Sequence, residues 1–446
     1  MTAVTAGRSD RSDQSDPTDP TDCAAAIHFT GKLLFPDSGY HWATFPRYSL
    51  GSDGPKRRCT VIISLEVAAA VPRKRALAIK AMAREAGFDT VGIASAVPFE
   101  EARRFLGERI AGGAFSGLPW FTGERADFAA DPRNLLPGAR SIVAVALSYR
   151  TEEPAPHAGE GPRGRVARYA WARDYHPILK ERMAAVVAAM QARYGAGECR
   201  ILVDTARIVD RAVAQRAGTG WYGKNTNIIN PTYGSWILLG EILTTLDLAP
   251  DPPLRKHCGA CRLCLDACPT GALTGPYTMD NDRCISYLTI EHRGVIPREL
   301  RPLIGDWIFG CDICQEVCPP ALKGQIAHHP PFRAASADAA FPALIPLLGI
   351  TEDEFRARFA GSPIKRTKRE GLQRNVAVAL GNSGDHAAVP ALILALATAT
   401  PLVRGHAAWA LGRLGGPAAK EALRLRLPEE GDPWLREEIG LALAGV

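Results

Sequence analysis

Eight of the eleven cysteines lie between positions 258 and 318. Two short runs hold seven of them, "HCGACRLCLDACP" at His257–Pro269 and "CDICQEVCP" at Cys311–Pro319, and Cys284 lies between the runs. The first run reads C-x2-C-x2-C-x3-C-P. Its close thiolates Cys258, Cys261 and Cys264 can wrap three corners of a cubane iron–sulfur cluster, while Cys268, followed by proline, points toward a second cluster. The second run, Cys311, Cys314 and Cys318, lacks one loop cysteine, and Cys284 fills the vacancy. The crossing rule assigns Cys258, Cys261, Cys264 and Cys318 to one [4Fe–4S] cluster and Cys268, Cys284, Cys311 and Cys314 to the other, with no thiol left over. Structural zinc is the plainer alternative, but zinc sites usually pair two C-x-x-C arms across a longer loop. Clustered thiols at short fixed spacing in an intracellular chain point to metal rather than disulfides. Two clusters make a short electron wire and leave open what it reduces.

The elements that must hold these groups follow from periodicity. Apolar residues at helical intervals predict helices over Arg73–Gly87, Pro177–Tyr194 and Ile208–Gly218, with glycine stops after the first two. Short β-branched runs predict strands at Thr90–Ala94, Ser141–Tyr149, Arg200–Asp204 and Trp236–Leu243. Their alternation predicts an α/β or α+β sheet domain. The cysteine-rich segment has too few apolar residues for its own core and is expected to fold around its metal. Beyond residue 340 the chain is rich in Ala and Leu, and "NVAVALGNSG" (Asn375–Gly384) is echoed by "HAAWALGRLG" (His406–Gly415). That short period predicts a small helical solenoid of the HEAT type, with a plain helical bundle as the alternative.

With 446 residues, length alone suggests about three domains. The expected division is 1–72 as a disordered or extra extension, 73–250 as a mixed α/β domain, 251–330 as a ferredoxin-like two-cluster domain and 331–446 as the helical repeat. The fold class is therefore α+β. Hydrophobic residues at 46% and charged residues at 22% fit an ordinary soluble protein. No apolar run is long enough to span a bilayer, and the first 22 residues lack the apolar core of a secretory signal, so a membrane partner and export are not expected. The net charge of +6 is only mildly basic, so the placement of positive charge matters more than its sum.

Further motifs lie upstream of the cysteines: "LPWF" (Leu118–Phe121), "DPRNLLPGARSI" (Asp131–Ile142), "RYAWARDYH" (Arg168–His176), "VDTARIVDRAVAQRAGTGWYGKNTNII" (Val203–Ile229) and "YGSWILLGE" (Tyr233–Glu241). With the cysteine frame and "GSPIKRTKREGLQRN" (Gly361–Asn375), they resemble the epoxyqueuosine reductases from about residue 73 to the C-terminus. The resemblance implies cobalamin in the N-terminal sheet domain beside two [4Fe–4S] clusters, and removal of the epoxide oxygen, as water, from a modified base at the tRNA wobble position. It also implies a low-potential electron donor such as flavodoxin or ferredoxin, a cytoplasmic location and a monomer. Two positions depart from the family pattern: Arg207, where proline is common, and Ala172, where glycine is usual.

Epoxide opening needs an acid at the leaving oxygen. Asp204, at the end of a predicted strand, matches the family's proton donor; as plain structure it would cap the following helix. Asp210 is expected to be solvated. For cobalamin the resemblance points to Arg133, Trp171, Asp204, Lys224, Asn225, Ile228, Leu239 and Ser286. Trp171 is expected to keep the cobalamin base-off, and no D-x-H-x-x-G motif provides a histidine ligand. Each has an ordinary alternative: a surface ion pair for Arg133, core packing for Trp171, Ile228 and Leu239. For tRNA, Lys365, Arg366, Lys368, Arg369 and Arg374 form a basic run leading into the repeat, with Arg211 and Arg298 as further candidates. A ferredoxin module with a helical docking domain would need neither the Asp204 and Lys224 motifs nor this run. A cobalamin-dependent dehalogenase would typically carry an export signal.

Overall fold

The computed structural model describes residues 65–155, 161–195 and 197–445. Of the expected extension over residues 1–72, residues 1–64 lie outside the described residues, and the rest is helical. The first helix, α1, runs Leu65–Glu85, beginning ahead of the expected Arg73. Four strands form the central sheet: β1 (Thr90–Ser95), β2 (Ser141–Ser148), β3 (Cys199–Leu202) and β4 (Ile237–Thr244), in the order β1-β2-β4-β3 with every neighbour antiparallel. Helix α2 (Tyr175–Tyr194) precedes β3, and α3 (Asp210–Arg216) follows it. The fold class is α+β, as expected.

Strand β2 is buried along its whole length. Its side chains alternate between two cores. Val143, Val145 and Leu147 pack with Ile79, Leu179 and Met183 from α1 and α2, whereas Ile142 and Ala144 pack with Leu136, Ile208 and Val213. Both faces being covered explains a continuous apolar run in an antiparallel sheet. Each fully buried aliphatic side chain contributes about 1.5–3 kcal/mol.

The C-terminal region stacks α5 (Lys368–Ser383), α7 (Pro401–Leu414) and α9 (Pro433–Ala444) as an inner row, with α6 (Val389–Thr398) and α8 (Pro417–Arg426) packed outside. The repeated Ala-Leu-Gly has a direct cause here. A Cβ on Gly381 would stand 2.9 Å from the Ala410 Cα, and one on Gly412 would stand 2.8 Å from the Ala442 Cα, so the inner helices meet at these glycines.

The cysteine-rich segment has apolar packing that its own composition does not supply. Its helix α4 (Ile285–Ile290) and its residues Ile296, Leu300, Trp307 and Phe309 share a core with Leu344, Leu372 and Val376 of the helical region. Short local runs looked insufficient because the partner surface lies some 35 to 90 positions later in the chain. Polar clamps reinforce this seam. Arg301 donates to both carboxylate oxygens of Glu438 (2.9 and 2.7 Å), and Asn375 donates to the Thr289 and Ile308 carbonyls.

Candidate active site

Asp204 lies two residues past the end of β3, on a loop, with φ +34°. A short polar side chain tolerates this left-handed conformation better than a branched one. The residue does not cap α3, whose N-cap is Val209. Its carboxylate instead borders a cleft of about 180 Å³ lined also by Tyr175, Asp210, Arg211, Asn227, Ile228, Ser235 and Ile237–Leu239.

The first turn of α2 delivers two partners to Asp204. The Tyr175 hydroxyl donates to Asp204 Oδ2 at 2.8 Å, and His176 Nε2 lies 3.5 Å from the same oxygen. Asp174, the helix N-cap, accepts from the His176 backbone N–H and lies 2.8 Å from His176 Nδ1, so the cap also aims the ring. His176 holds the Asp204 carboxyl below its ordinary range, with the Tyr175 hydroxyl adding to that and burial opposing it. Reciprocally, the contact with Asp204 raises His176, against burial and with help from Asp174. The contact therefore favours a carboxylate on Asp204 and a proton on the imidazole. The motif "RYAWARDYH" contained Tyr175 and His176, but only the helix cap and the loop after β3 reveal what they face.

Asp210 is not the solvated carboxylate expected of it. It lines the cleft at the first position of α3, and its Oδ1 is sealed from solvent with no hydrogen-bond donor. Burial, then the charge of Asp204, push it up to about 8, with Arg211 opposing. Glu241 on β4 is 1% exposed, and burial followed by the charges of Asp210 and Asp204 hold it well above the carboxylate range.

The eight clustered cysteines are free thiols. Among the described residues no three His, Cys, Asp or Glu side chains converge as ligands of a single metal ion would. Burial raises the Cys318 thiol first, and its charged neighbours are Cys258, Cys264 and Cys261 of the first run. Burial likewise raises Cys284, whose neighbouring thiol is Cys268. Cys314 is raised by burial, then by Cys284, Asp312, Cys264 and Cys268, so it has thiol neighbours from both runs. These donor sets fit two cubane clusters. Lys224 and Asn225 serve the cysteine loops rather than the cleft: Lys224 Nζ donates to the Gly259 and Cys261 carbonyls (2.7 and 2.9 Å), and Asn225 Nδ2 donates to the Cys314 carbonyl (3.2 Å). The backbone N–H of Ser286 faces the Cys284 sulfur.

For a corrin, the cleft offers an aliphatic wall of Ile228, Ile237, Leu238 and Leu239 beside the buried Ser235 hydroxyl, which has no hydrogen-bond partner. That pairing of apolar surface and spare polar atom fits a macrocycle with an amide rim. Two expected contacts do not reach it. Trp171 packs in the core shared with the helical region, its Nε1 spent on the Val166 carbonyl at 2.7 Å and Arg168 stacked above it. Arg133 is exposed and forks onto Asp131 (2.9 and 2.8 Å), the surface pair that was its alternative. Arg207 stacks on Phe128 at 4.0 Å.

The basic run divides. Lys365 and Lys368 are exposed beside a groove shared with Arg356, Arg369, Glu352 and Glu370. Arg366 forks onto Glu291 and is close enough to Asp204 for that carboxylate to raise it further. Arg369 pairs with Glu352. Arg374 must be withdrawn from the RNA surface: it is fully buried and donates to the Leu288, His292 and Gly294 carbonyls. Arg298 binds Glu438, part of the seam described above. Arg211 is exposed at the cleft, within electrostatic reach of both Asp204 and Cys284.

Three family models match the chain. Residues 257–321 match the 4Fe-4S double cluster binding domain, 130–205 match Epoxyqueuosine reductase QueG, DUF1730, and 364–444 match HEAT repeats. An epoxyqueuosine reductase of Bacillus cereus is 37% identical over 366 residues, covering 81% of this chain and 95% of the relative. A crystal structure of epoxyqueuosine reductase with an epoxyqueuosine-modified tRNA-Tyr stem loop superposes with TM-score 0.77 at 35% identity, over 83% of this chain and 98% of that one. A Bacillus subtilis epoxyqueuosine reductase, solved with its catalytic aspartate loop swung out of the active site, gives the same TM-score, identity and coverage. No described helix is long and apolar enough to cross a membrane.

Proposed function

The chain belongs to the epoxyqueuosine reductase family, and from that premise we propose that it reduces epoxyqueuosine to queuosine at the wobble position of tRNA. The oxygen leaves as water. Converting the epoxide to an alkene and water consumes two electrons and two protons. The eight cysteines would hold two [4Fe–4S] clusters, which would supply a path for electrons from a low-potential donor. Cobalamin, when bound against Ile228, Leu239 and Ser235, supplies the reductant that meets the epoxide. Asp204 hands a proton to the leaving oxygen, a role in keeping with the catalytic aspartate loop of the Bacillus subtilis relative. Lys365, Lys368, Arg366 and Arg211 hold the phosphates of the anticodon arm, whose wobble base must leave its stack to enter the cleft. The division of labour follows the chain: a cobalamin domain over 73–250, a cluster domain over 251–330 and a tRNA-binding helical repeat over 331–446.

One observation carries this reading. The cleft carboxylate Asp204 is within electrostatic reach of Arg366 in the basic run, and Arg211 at the same cleft reaches the half-buried thiol of Cys284. Protein purified anaerobically, supplied with cobalamin and a low-potential reductant, is expected to contain about eight irons per chain, from two cubanes, and to convert epoxyqueuosine in tRNA. Iron near half that value, or tRNA left unchanged by protein with full clusters and cobalamin, would overturn it.

A further inference from the structure

Resting on that reading, the reaction needs two protons, and the Asp204 trio stores one. The contact between them favours a carboxylate on Asp204 and a proton on His176, so a second proton calls for a second store within reach of the same cleft.

The sheet places one there. The first three residues of β4, Ile237, Leu238 and Leu239, line the cleft, and side chains alternate along a strand, so Glu241 lies on the face of Ile237 and Leu239, behind the cleft wall. Glu241 is also paired in register with Leu202, the last residue of β3 before the Asp204 loop. It is 1% exposed, and its Oε2 has no hydrogen-bond partner. Helix α3 packs on β4 and brings Asp210 from the cleft wall, with its sealed and equally unpartnered Oδ1. The buried Ser235 hydroxyl, also without a partner, lines the same cleft. Two carboxyl groups set together away from water cannot both ionise; they share a proton. We propose that Asp210 and Glu241 hold one proton between them at neutral pH and deliver it to the Asp204 carboxylate, so that the cleft supplies both protons consumed with the two electrons.

The balance closes as follows. The first proton passes from His176 through Asp204 to the epoxide oxygen as its C–O bond breaks. The second passes from the Asp210–Glu241 pair to Asp204 and on to the resulting hydroxyl, which leaves as water as the remaining C–O bond breaks, and the two electrons from the low-potential donor become the pair of the new C=C bond. The charged and titratable groups facing the pair are Asp204 from the loop after β3, Arg211 on α3 and Tyr222 from the strand Trp221–Tyr222. Asp210 and Glu241 are positioning residues, acting through Asp204.

Two measurements decide this. Infrared difference spectra of the protein without tRNA, wild type against Asp210→Asn/Glu241→Gln, are expected to show one buried protonated carboxyl at neutral pH that the double variant lacks. Single-turnover conversion of epoxyqueuosine in tRNA is expected to slow about tenfold to a hundredfold in the double variant. Added small weak acids should restore the rate, and cluster reduction and tRNA binding should be unchanged. A merely structural pair would not be rescued by buffer acid. The proposal fails if the wild type shows no protonated carboxyl, or if the double variant keeps the wild-type rate and pH profile. Wild-type protein inactive on that tRNA would instead sink the functional reading, and the infrared result would still decide the pair.

Discussion

Asp204→Asn should lower the pKa of His176, and the size of the drop follows from the cleft. His176 Nε2 and Asp204 Oδ2 are 3.5 Å apart. Opposite unit charges at that distance attract by roughly 1 kcal/mol in bulk water and about 5 kcal/mol at an effective dielectric near 20. Protein groups crowd Asp204, but its side chain keeps 58% of its accessible surface, and His176 keeps 24%. That solvent contact places the pair near the screened limit, at ~1 kcal/mol, so the His176 midpoint should fall by a little under one pH unit. Asp174 remains in place and keeps part of the elevation. The sign also fixes the window. Asp204 contributes stability above its ordinary 3.8, lost as pH falls through its lowered folded value; His176 contributes below its ordinary 6.5, lost as pH rises through its raised one. The assay is a pH titration of labelled histidine ring resonances, with His176 assigned by its absence in His176→Gln. A His176 midpoint that does not move, or that rises, in Asp204→Asn would refute the ion-pair account.

Other consequences are open to test. Arg374→Met removes a buried cation that spends its donors on three backbone carbonyls, so chemical denaturation should show a loss of about 3 kcal/mol; tRNA affinity per folded molecule should stay the same. The pair Lys365→Gln and Lys368→Gln should weaken tRNA binding and reduce the slope of log affinity against log salt by about two, one per phosphate contact, measured by filter binding. Gly381→Val should cost about 1–3 kcal/mol in thermal unfolding, because the α5–α7 crossing has no room for a side chain. Cys284→Ser should reduce iron content and the cluster absorption while Cys199→Ser changes neither, since Cys199 lies on β3, paired with Thr244 in the sheet.

Much of this organisation was legible because it depends on local pattern. The cysteine spacing, the Ala-Leu-Gly echo and the β2 run each encode geometry within a dozen residues. What the pattern missed depends on distant partners. Arg374 belongs by spacing to a basic run, yet the turn of α5 points it at carbonyls of the cluster segment. Lys224 and Asn225 sit in a loop with glycine and polar donors of the kind a cofactor uses, but the nearest acceptors are carbonyls of the cysteine loops. Trp171 is aromatic for packing and not for a corrin face. Asp210 looked solvated because nothing nearby in sequence shows that β4 passes behind α3. His176 needed the helix cap at Asp174 to be seen as aimed at Asp204.

The most direct test compares wild type with Asp204→Asn, both carrying full clusters and cobalamin, in an anaerobic single turnover on tRNA bearing epoxyqueuosine, followed by mass analysis of the released nucleosides. The account predicts that wild type yields a nucleoside lighter by one oxygen atom. The variant should bind the tRNA and accept electrons normally, yet form that product slower by about a hundredfold or more. Equal conversion by the two proteins would contradict it.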